Sequence, residues 1–168
     1  MKHTVIKYGT YGLLTGLILF LAAILLGKGL PYSIQEILGY AAMIAALSFI
    51  FFGIKHYRDN VNNGTVSLGK AIVIGLLISM LVGFGVAIAD YVYTTVINPD
   101  FANEYLEQTL KTMKASMSQE EFQTKKGELI QQMQDYGGSG FMAFLMFITV
   151  VLIGFVISLI SGLILQRK

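Results

Sequence analysis

The apolar stretch "AIVIGLLISMLVGFGVAIADYVYTTV", residues 71–96, decides the fold. A membrane core of ~30 Å is crossed by roughly 20 helical residues, so this stretch is long enough to span it. Backbone groups in lipid have to hydrogen-bond within the protein, which favours a helix over a strand. The stretch contains a single charged residue, Asp90. It is therefore interpreted as one membrane-spanning helix that carries one acid.

Three further stretches have the same character, at residues 8–27, 34–54 and 141–165. Of the 168 residues 55% are hydrophobic and 13% charged, whereas a soluble domain carries about 25% charged residues. The basic start "MKHTVIK" would suit a signal peptide, but "ILLGKGLPY" offers no small-residue cleavage site, so we expect the first stretch to be retained. The sequence predicts an all-α, integral membrane four-helix bundle, with residues 1–168 forming one domain.

The distribution of basic residues predicts the topology. Lys and Arg concentrate in loops that stay in the cytoplasm. The first loop, residues 28–36, has one lysine, whereas the second loop, residues 55–70, has three basic residues and both termini have two each. The terminal basic residues are Lys2, Lys7, Arg167 and Lys168. We therefore expect both termini and the second loop to be cytoplasmic, and the third loop to face outward.

The third loop, residues 98–140, is predicted to be an outward helical hairpin. Leu106, Leu110, Met113 and Met117 follow a heptad spacing. Ser118 with Glu121 forms a capping box that starts a second helix. The apolar positions of that second helix are Phe122, Leu129, Met133 and Tyr136. Such a hairpin could merely connect two spans, or it could hold a partner protein.

Small residues recur every four positions in the spans, which aligns them on one face of each helix. In lipid, such faces allow helices to approach closely. They are predicted to pack the four spans together, with the alternative that one face stays free for a second copy or another membrane protein. The helix-packing candidates are Gly12, Gly16, Gly75, Ser79, Gly83, Ala87, Gly154, Ser158 and Gly162, with Ala42 and Ala46 as a weaker pair.

Asp90 is the candidate functional residue. It lies about 28 Å along the third span at 1.5 Å per residue, so we expect it near the outer boundary, with Tyr91 and Tyr93 in the interfacial aromatic belt. Within the bilayer we predict no charged partner for it. A boundary role is therefore favoured, and the alternative is a proton or cation site facing the bundle interior.

No catalytic, cofactor-binding or metal-binding residues are predicted. The chain has no cysteine and two histidines, and it lacks an HExxH pair and a P-loop. We expect no enzyme activity, no cofactor and no nucleic-acid partner. The basic residues of the second loop are expected to face anionic lipid headgroups. These residues are Lys55, His56, Arg58 and Lys70.

The second loop also carries a family resemblance. Its pattern comprises Gly53-Ile54-Lys55, Tyr57-Arg58, Gly64, Ser67, Lys70-Ala71 and Gly75. With "INPD" at residues 97–100 and the polar insertion before the last span, the chain resembles small four-span proteins of Bacteroidota grouped as domain of unknown function 4199. The resemblance implies a bacterial inner-membrane protein without an assigned activity, substrate or cofactor.

Two functions are consistent with these patterns. The first is an interaction or scaffold module in the lipid bilayer that forms a homo-oligomer or binds a membrane-protein partner. The alternative is a transport or channel subunit that uses Asp90 near its outer mouth. The sequence favours the first.

Overall fold

The chain is described by a computed structural model that covers residues 1–167, with the side chain of Tyr32 left out. Lys168, which the topology prediction includes, lies outside the described residues. Seven α-helices form within this range, and a π-helical turn, Tyr93–Ile97, extends the fourth. The helices are α1 (Lys2–Gly27), α2 (Tyr32–Leu47), α3 (Phe49–Asn60), α4 (Leu68–Val92), α5 (Phe101–Ser116), α6 (Gln119–Tyr136) and α7 (Ser139–Leu165).

Four helical stretches are long and apolar enough to cross a membrane, which confirms the predicted fold class. They are Lys2–Gly27, Ser33–Asn60, Leu68–Ile97 and Ser139–Leu165. Each is longer than predicted, because the polar residues at its ends continue the helix. The second stretch is interrupted at Ser48, whose hydroxyl donates to the Ala45 carbonyl at 2.7 Å. This irregular turn separates α2 from α3.

Helix α4 lies at the centre of the bundle, with α7 and α1 packed extensively along it. Helix α3 packs against α1, α4 and α7, whereas α2 contacts mainly α1 and makes few contacts with α4 or α7. The bundle is therefore closed at the α3 end and parted beside α2. The core of the closed part consists of fully buried aliphatic residues, among them Ile50, Ile54, Ile74, Ile78, Val82, Val86 and Val150.

Helices α4 and α7 approach closely because small residues face each other. A Cβ atom added to Gly75 would lie 2.5 Å from the Ser158 Cβ, and one added to Gly154 would overlap the Ser79 side chain. Close backbone approach of this kind increases van der Waals contact, on which helix association in lipid depends. The α4–α7 interface therefore has no room for a single extra methyl group at these glycines.

The α3 end of the bundle is closed by polar contacts. Arg58 is 9% exposed. Its guanidinium donates two hydrogen bonds to the Asp59 carboxylate, at 2.6 and 3.1 Å. Its Nη1 also donates to the Leu165 carbonyl at 3.4 Å, at the end of α7. Val66 and Arg167 exchange two backbone hydrogen bonds of 3.0 Å each. The second loop and the chain end are thus tied together.

The variant Arg58→Met is expected to lower the thermal midpoint of the protein, because it removes the contact with Leu165 and leaves Asp59 without its close partner. Lys55→Met is the matched control, since Lys55 is an exposed base on the same helix. Unfolding of both variants in the same detergent, followed by circular dichroism, makes the comparison. Equal midpoints for the two variants would contradict a structural role for Arg58.

Helices α5 and α6 are joined at Met117 and Ser118, and they contact each other. The predicted capping box is present: the Ser118 side chain accepts from the Glu121 amide, and the Glu121 carboxylate accepts from the Ser118 amide. The apolar heptad positions are half-buried, except Tyr136, which is exposed. The chain re-enters the bundle next to the point where it left, since the hydroxyl of Ser139, the first residue of α7, donates to the Thr94 carbonyl at 3.4 Å.

Candidate functional site

A cavity of about 520 Å³ opens at the end of the bundle opposite α3, where α2 is parted from α4 and α7. We call it the Asp90 cavity. Side chains of α1, α2, α4, α5 and α7, and Tyr93 of the π-helical turn, line it. Gly39 leaves part of this space free because it has no side chain. A Cβ atom added there would meet only the Phe20 ring, at 3.7 Å. The lining includes five aromatic residues, which are Phe20, Tyr40, Tyr93, Phe101 and Tyr105.

Asp90 lies inside the bundle rather than at its edge. The residue is 5% exposed, and its Oδ2 atom is buried without a hydrogen-bond partner among the described residues. The helix continues beyond it to Ile97, so Asp90 lies about 10 Å below the helix end at 1.5 Å per residue. The Asp90 side chain therefore faces the bundle interior, as the alternative interpretation expected, and its distance from the membrane boundary stays a prediction.

The π-helical turn after α4 shapes the wall next to Asp90. The Thr94 hydroxyl donates to the Asp90 carbonyl at 2.9 Å, and the Asn98 amide closes the wide turn on the Tyr93 carbonyl at 2.7 Å. Tyr93 is buried and its ring packs on Phe101 at 5.5 Å, whereas Tyr91 is 49% exposed. Of the two tyrosines assigned to an aromatic belt, Tyr93 instead faces the cavity.

Glu36 is a second acid in the same cavity. The prediction that Asp90 has no charged partner counted Glu36 with the first loop, although the predicted second span, residues 34–54, already includes it, and α2 carries Glu36 in its second turn. Glu36 is exposed, whereas Asp90 is buried. The cavity is therefore lined by one acid that is exposed and one that is enclosed. Among the described lining residues there is no Lys, Arg or His.

Helix α5 forms part of the cavity wall, which the sequence did not predict. Tyr105, Gln108, Thr109 and Thr112 line it, and their spacing of three, one and three places them on one face of α5. The heptad positions Leu106 and Leu110 lie beside this face rather than on it. The polar residues of α5 could have indicated a second functional face of the helix. The heptad pattern of apolar residues indicates only the adjacent face of α5.

Most of the helix-packing candidates are covered within the chain. Gly83 lies against Phe147, Gly12 against Val82, and Gly16 against Val86. Ala87 is half-buried, and the other eight candidates are buried. Faces occupied in this way are not free for a second copy. The remaining contacts are Gly75 with Ser158, Gly154 with Ser79, and Gly162 with Leu68 and Ala71.

The four residues expected to face lipid headgroups separate into two groups. Lys55 and Lys70 are exposed. Arg58 is buried beside Asp59 and Leu165, so the expectation for it is wrong. His56 is half-buried, with its ring 5.4 Å from that of Tyr8 and its Nδ1 enclosed. Contact of the exposed Lys55 and Lys70 with anionic headgroups stays a prediction.

Comparison with known proteins identifies the family. A family model described as "Protein of unknown function (DUF4199)" matches residues 7–167. None of the curated proteins and none of the solved structures matches the chain. The match includes the first apolar helical stretch from Lys7 onward, the other three in full, and α5 and α6.

Proposed function

Because the chain belongs to the family of unknown function DUF4199, we propose its function from the cavity itself: a membrane-embedded protein that binds a small molecule beside Asp90. Small-molecule sites in proteins are concave, mostly apolar, and supplied with a few placed polar groups. The Asp90 cavity has this composition, with aromatic and methionine side chains around two acids. The proposal is limited to binding, since the features that support it are the apolar lining and the two acids.

The unpartnered Oδ2 of Asp90 is the observation that carries the proposal. A buried polar group without a hydrogen bond costs about 1–3 kcal/mol, and more when it is charged. Packing alone would favour an apolar residue at this position. A ligand that satisfies the carboxylate offsets the cost and gives the acid a role.

The alternative function is transport, in which the protein is a transport or channel subunit with Asp90 near its outer mouth. Below the cavity, the interior is filled by the fully buried Ile74, Ile78 and Val82. The described residues therefore form a site that is open at one end, without a continuous pore. Transport of a bound molecule would require α2 or α5 to move. We place binding first for this reason.

The proposed location is the inner membrane of a bacterium, with both termini cytoplasmic and the cavity facing outward. The exposed Lys55 and Lys70 support this orientation, because they lie at the α3 end, opposite the cavity. In this orientation α5 and α6 form an outward helical hairpin, and α5 covers the cavity from the outer side.

An interaction or scaffold role is the second candidate. On α6 the exposed Glu120, Glu121 and Glu128 surround one exposed base, Lys125, and this mainly acidic surface supports a partner with basic residues. Self-association through small-residue faces has lost its support, because these faces are covered within the chain. The second candidate therefore depends on the surface of α6.

Access to the cavity tests the proposed function, and the absence of cysteine makes the test simple. A single cysteine at Thr149, which lines the cavity, is expected to react with the neutral reagent N-ethylmaleimide in lipid nanodiscs. Its rate should be lower than that of Ser116→Cys on the exposed part of α5, because an apolar cavity lined by acids disfavours the reactive thiolate, but well above the rate of a fully buried cysteine. The matched control is Val150→Cys, because Val150 is the next residue and is fully buried. If Thr149→Cys were as unreactive as Val150→Cys, the cavity would be closed and the binding role excluded.

A further inference from the structure

We propose that the ligand of the Asp90 cavity is a lipophilic organic monocation, with one positive centre, such as a substituted ammonium, on an apolar body. This inference rests on the proposed binding role and names the chemical class that the site selects. Its basis is the placement of the buried Asp90 and the exposed Glu36 in one cavity rich in aromatic rings.

The charge of the site selects the sign of the ligand. The cavity is lined by two carboxylates and, within the described residues, by no basic side chain. An anion entering it would meet like charges without compensation, which discriminates strongly against it. A cation would be attracted both by the exposed Glu36 and by the enclosed carboxylate of Asp90, whose Oδ2 has no hydrogen-bond partner among the described residues. The two acids therefore favour a positively charged ligand.

The aromatic residues favour an organic cation. The face of an aromatic ring is negative, and it attracts substituted ammonium groups, which are less strongly hydrated than metal ions. Phe20 and Tyr93 belong to the buried part of the lining, and Tyr105 to its α5 side. Met43 and Met146 add unbranched side chains that adapt to irregular shapes. An apolar body would be enclosed on several sides.

The size and ligand set of the cavity argue against a bare metal ion. Its volume of about 520 Å³ lies in the range of roughly 300–1,000 Å³ that small organic molecules occupy. Calcium is bound by 6–8 oxygen atoms at short distances, and no group of three or more His, Cys, Asp or Glu is gathered among the residues searched. The cavity therefore fits an organic molecule better than a bare metal ion.

Two probe ions of equal size and opposite charge test the inference. Tetraphenylphosphonium is expected to slow the modification of Thr149→Cys by N-ethylmaleimide in a saturable manner, whereas tetraphenylborate is not. The change Asp90→Asn should weaken this protection at least about tenfold, as expected when one close charge partner is removed. Glu36→Gln should weaken it less, because Glu36 is exposed. Asp135→Asn, an exposed acid of α6 outside the lining, should leave it unchanged.

The outcomes distinguish the two proposals. Reaction of Thr149→Cys without protection by the cation, or with equal protection by both ions, would overturn the ligand class and leave the binding role intact. An unreactive Thr149→Cys would overturn both. If Asp90→Asn does not fold, Glu36→Gln provides the test. The proposal is contradicted if protection by the cation is unchanged in Glu36→Gln and this variant binds both ions with equal affinity.

Discussion

Gly75→Ala should destabilise the protein by about 3 kcal/mol, the upper part of the usual range for an overpacked interior. The new methyl group would lie 2.5 Å from the Ser158 Cβ and 3.0 Å from Ile50 Cγ2, and both neighbours are fully buried. Because α4 and α7 pack along most of their length, relief requires one helix to move away from the other. That movement would also weaken the contacts at Gly83 and Gly154.

The second substitution Ser158→Gly is expected to restore part of this loss, because it removes the side chain that the new methyl group meets. Reversible unfolding in mixed micelles, measured for the wild type, both single variants and the pair, gives the coupling energy directly. Rescue is expected to be incomplete, since Ile50 Cγ2 remains 3.0 Å away. Additive effects of the two changes would show that α4 and α7 do not meet here.

Gly39→Trp should abolish binding of the cationic probe, with a loss of more than about 100-fold, because the indole would occupy the space that a ligand fills. The protein should still fold, since a Cβ at this position meets only Phe20 Cε2, at 3.7 Å. Binding is measured through protection of the Thr149 cysteine, and folding through the thermal midpoint. We expect protection by the probe to be lost and the thermal midpoint to be retained.

Gly39→Ala is the matched control for this variant. It adds a single methyl group at ordinary contact distance, and alanine favours a helix by about 1 kcal/mol over glycine. We therefore expect unchanged binding and equal or higher stability. Retained binding in Gly39→Trp would show that the ligand lies elsewhere, even if the cavity is open.

The helices and their small-residue faces could be predicted from the sequence because both depend on local patterns. A long apolar run forms a helix in lipid irrespective of its neighbours, and residues four apart share a face, as Gly75 and Ser79 do. The capping box at Ser118 and Glu121 is equally local. These features follow from spacing along a single helix.

The cavity could not be predicted because it depends on how helices are arranged around one another. Periodicity does not show that α2 parts from α4 and α7, so the shared cavity of Glu36 and Asp90 was missed. Arg58 was assigned to headgroups because its charge is apparent in the sequence, whereas its contact with Leu165 joins residues far apart in the chain. The π-helical turn that buries Tyr93 has no signature in composition.

The order of α4 and α7 along the chain has a consequence for biogenesis. Helix α4 ends at Val92 and its π-helical extension at Ile97, whereas Gly154 and Ser158 are added only after α5 and α6. At about 5–20 residues per second, the remaining 70 or so residues up to Leu165 take roughly 3–14 s to synthesise. During this interval the small residues of α4 lack the α7 side chains that pack on them, so the α4–α7 interface can form only after α5 and α6 have been made.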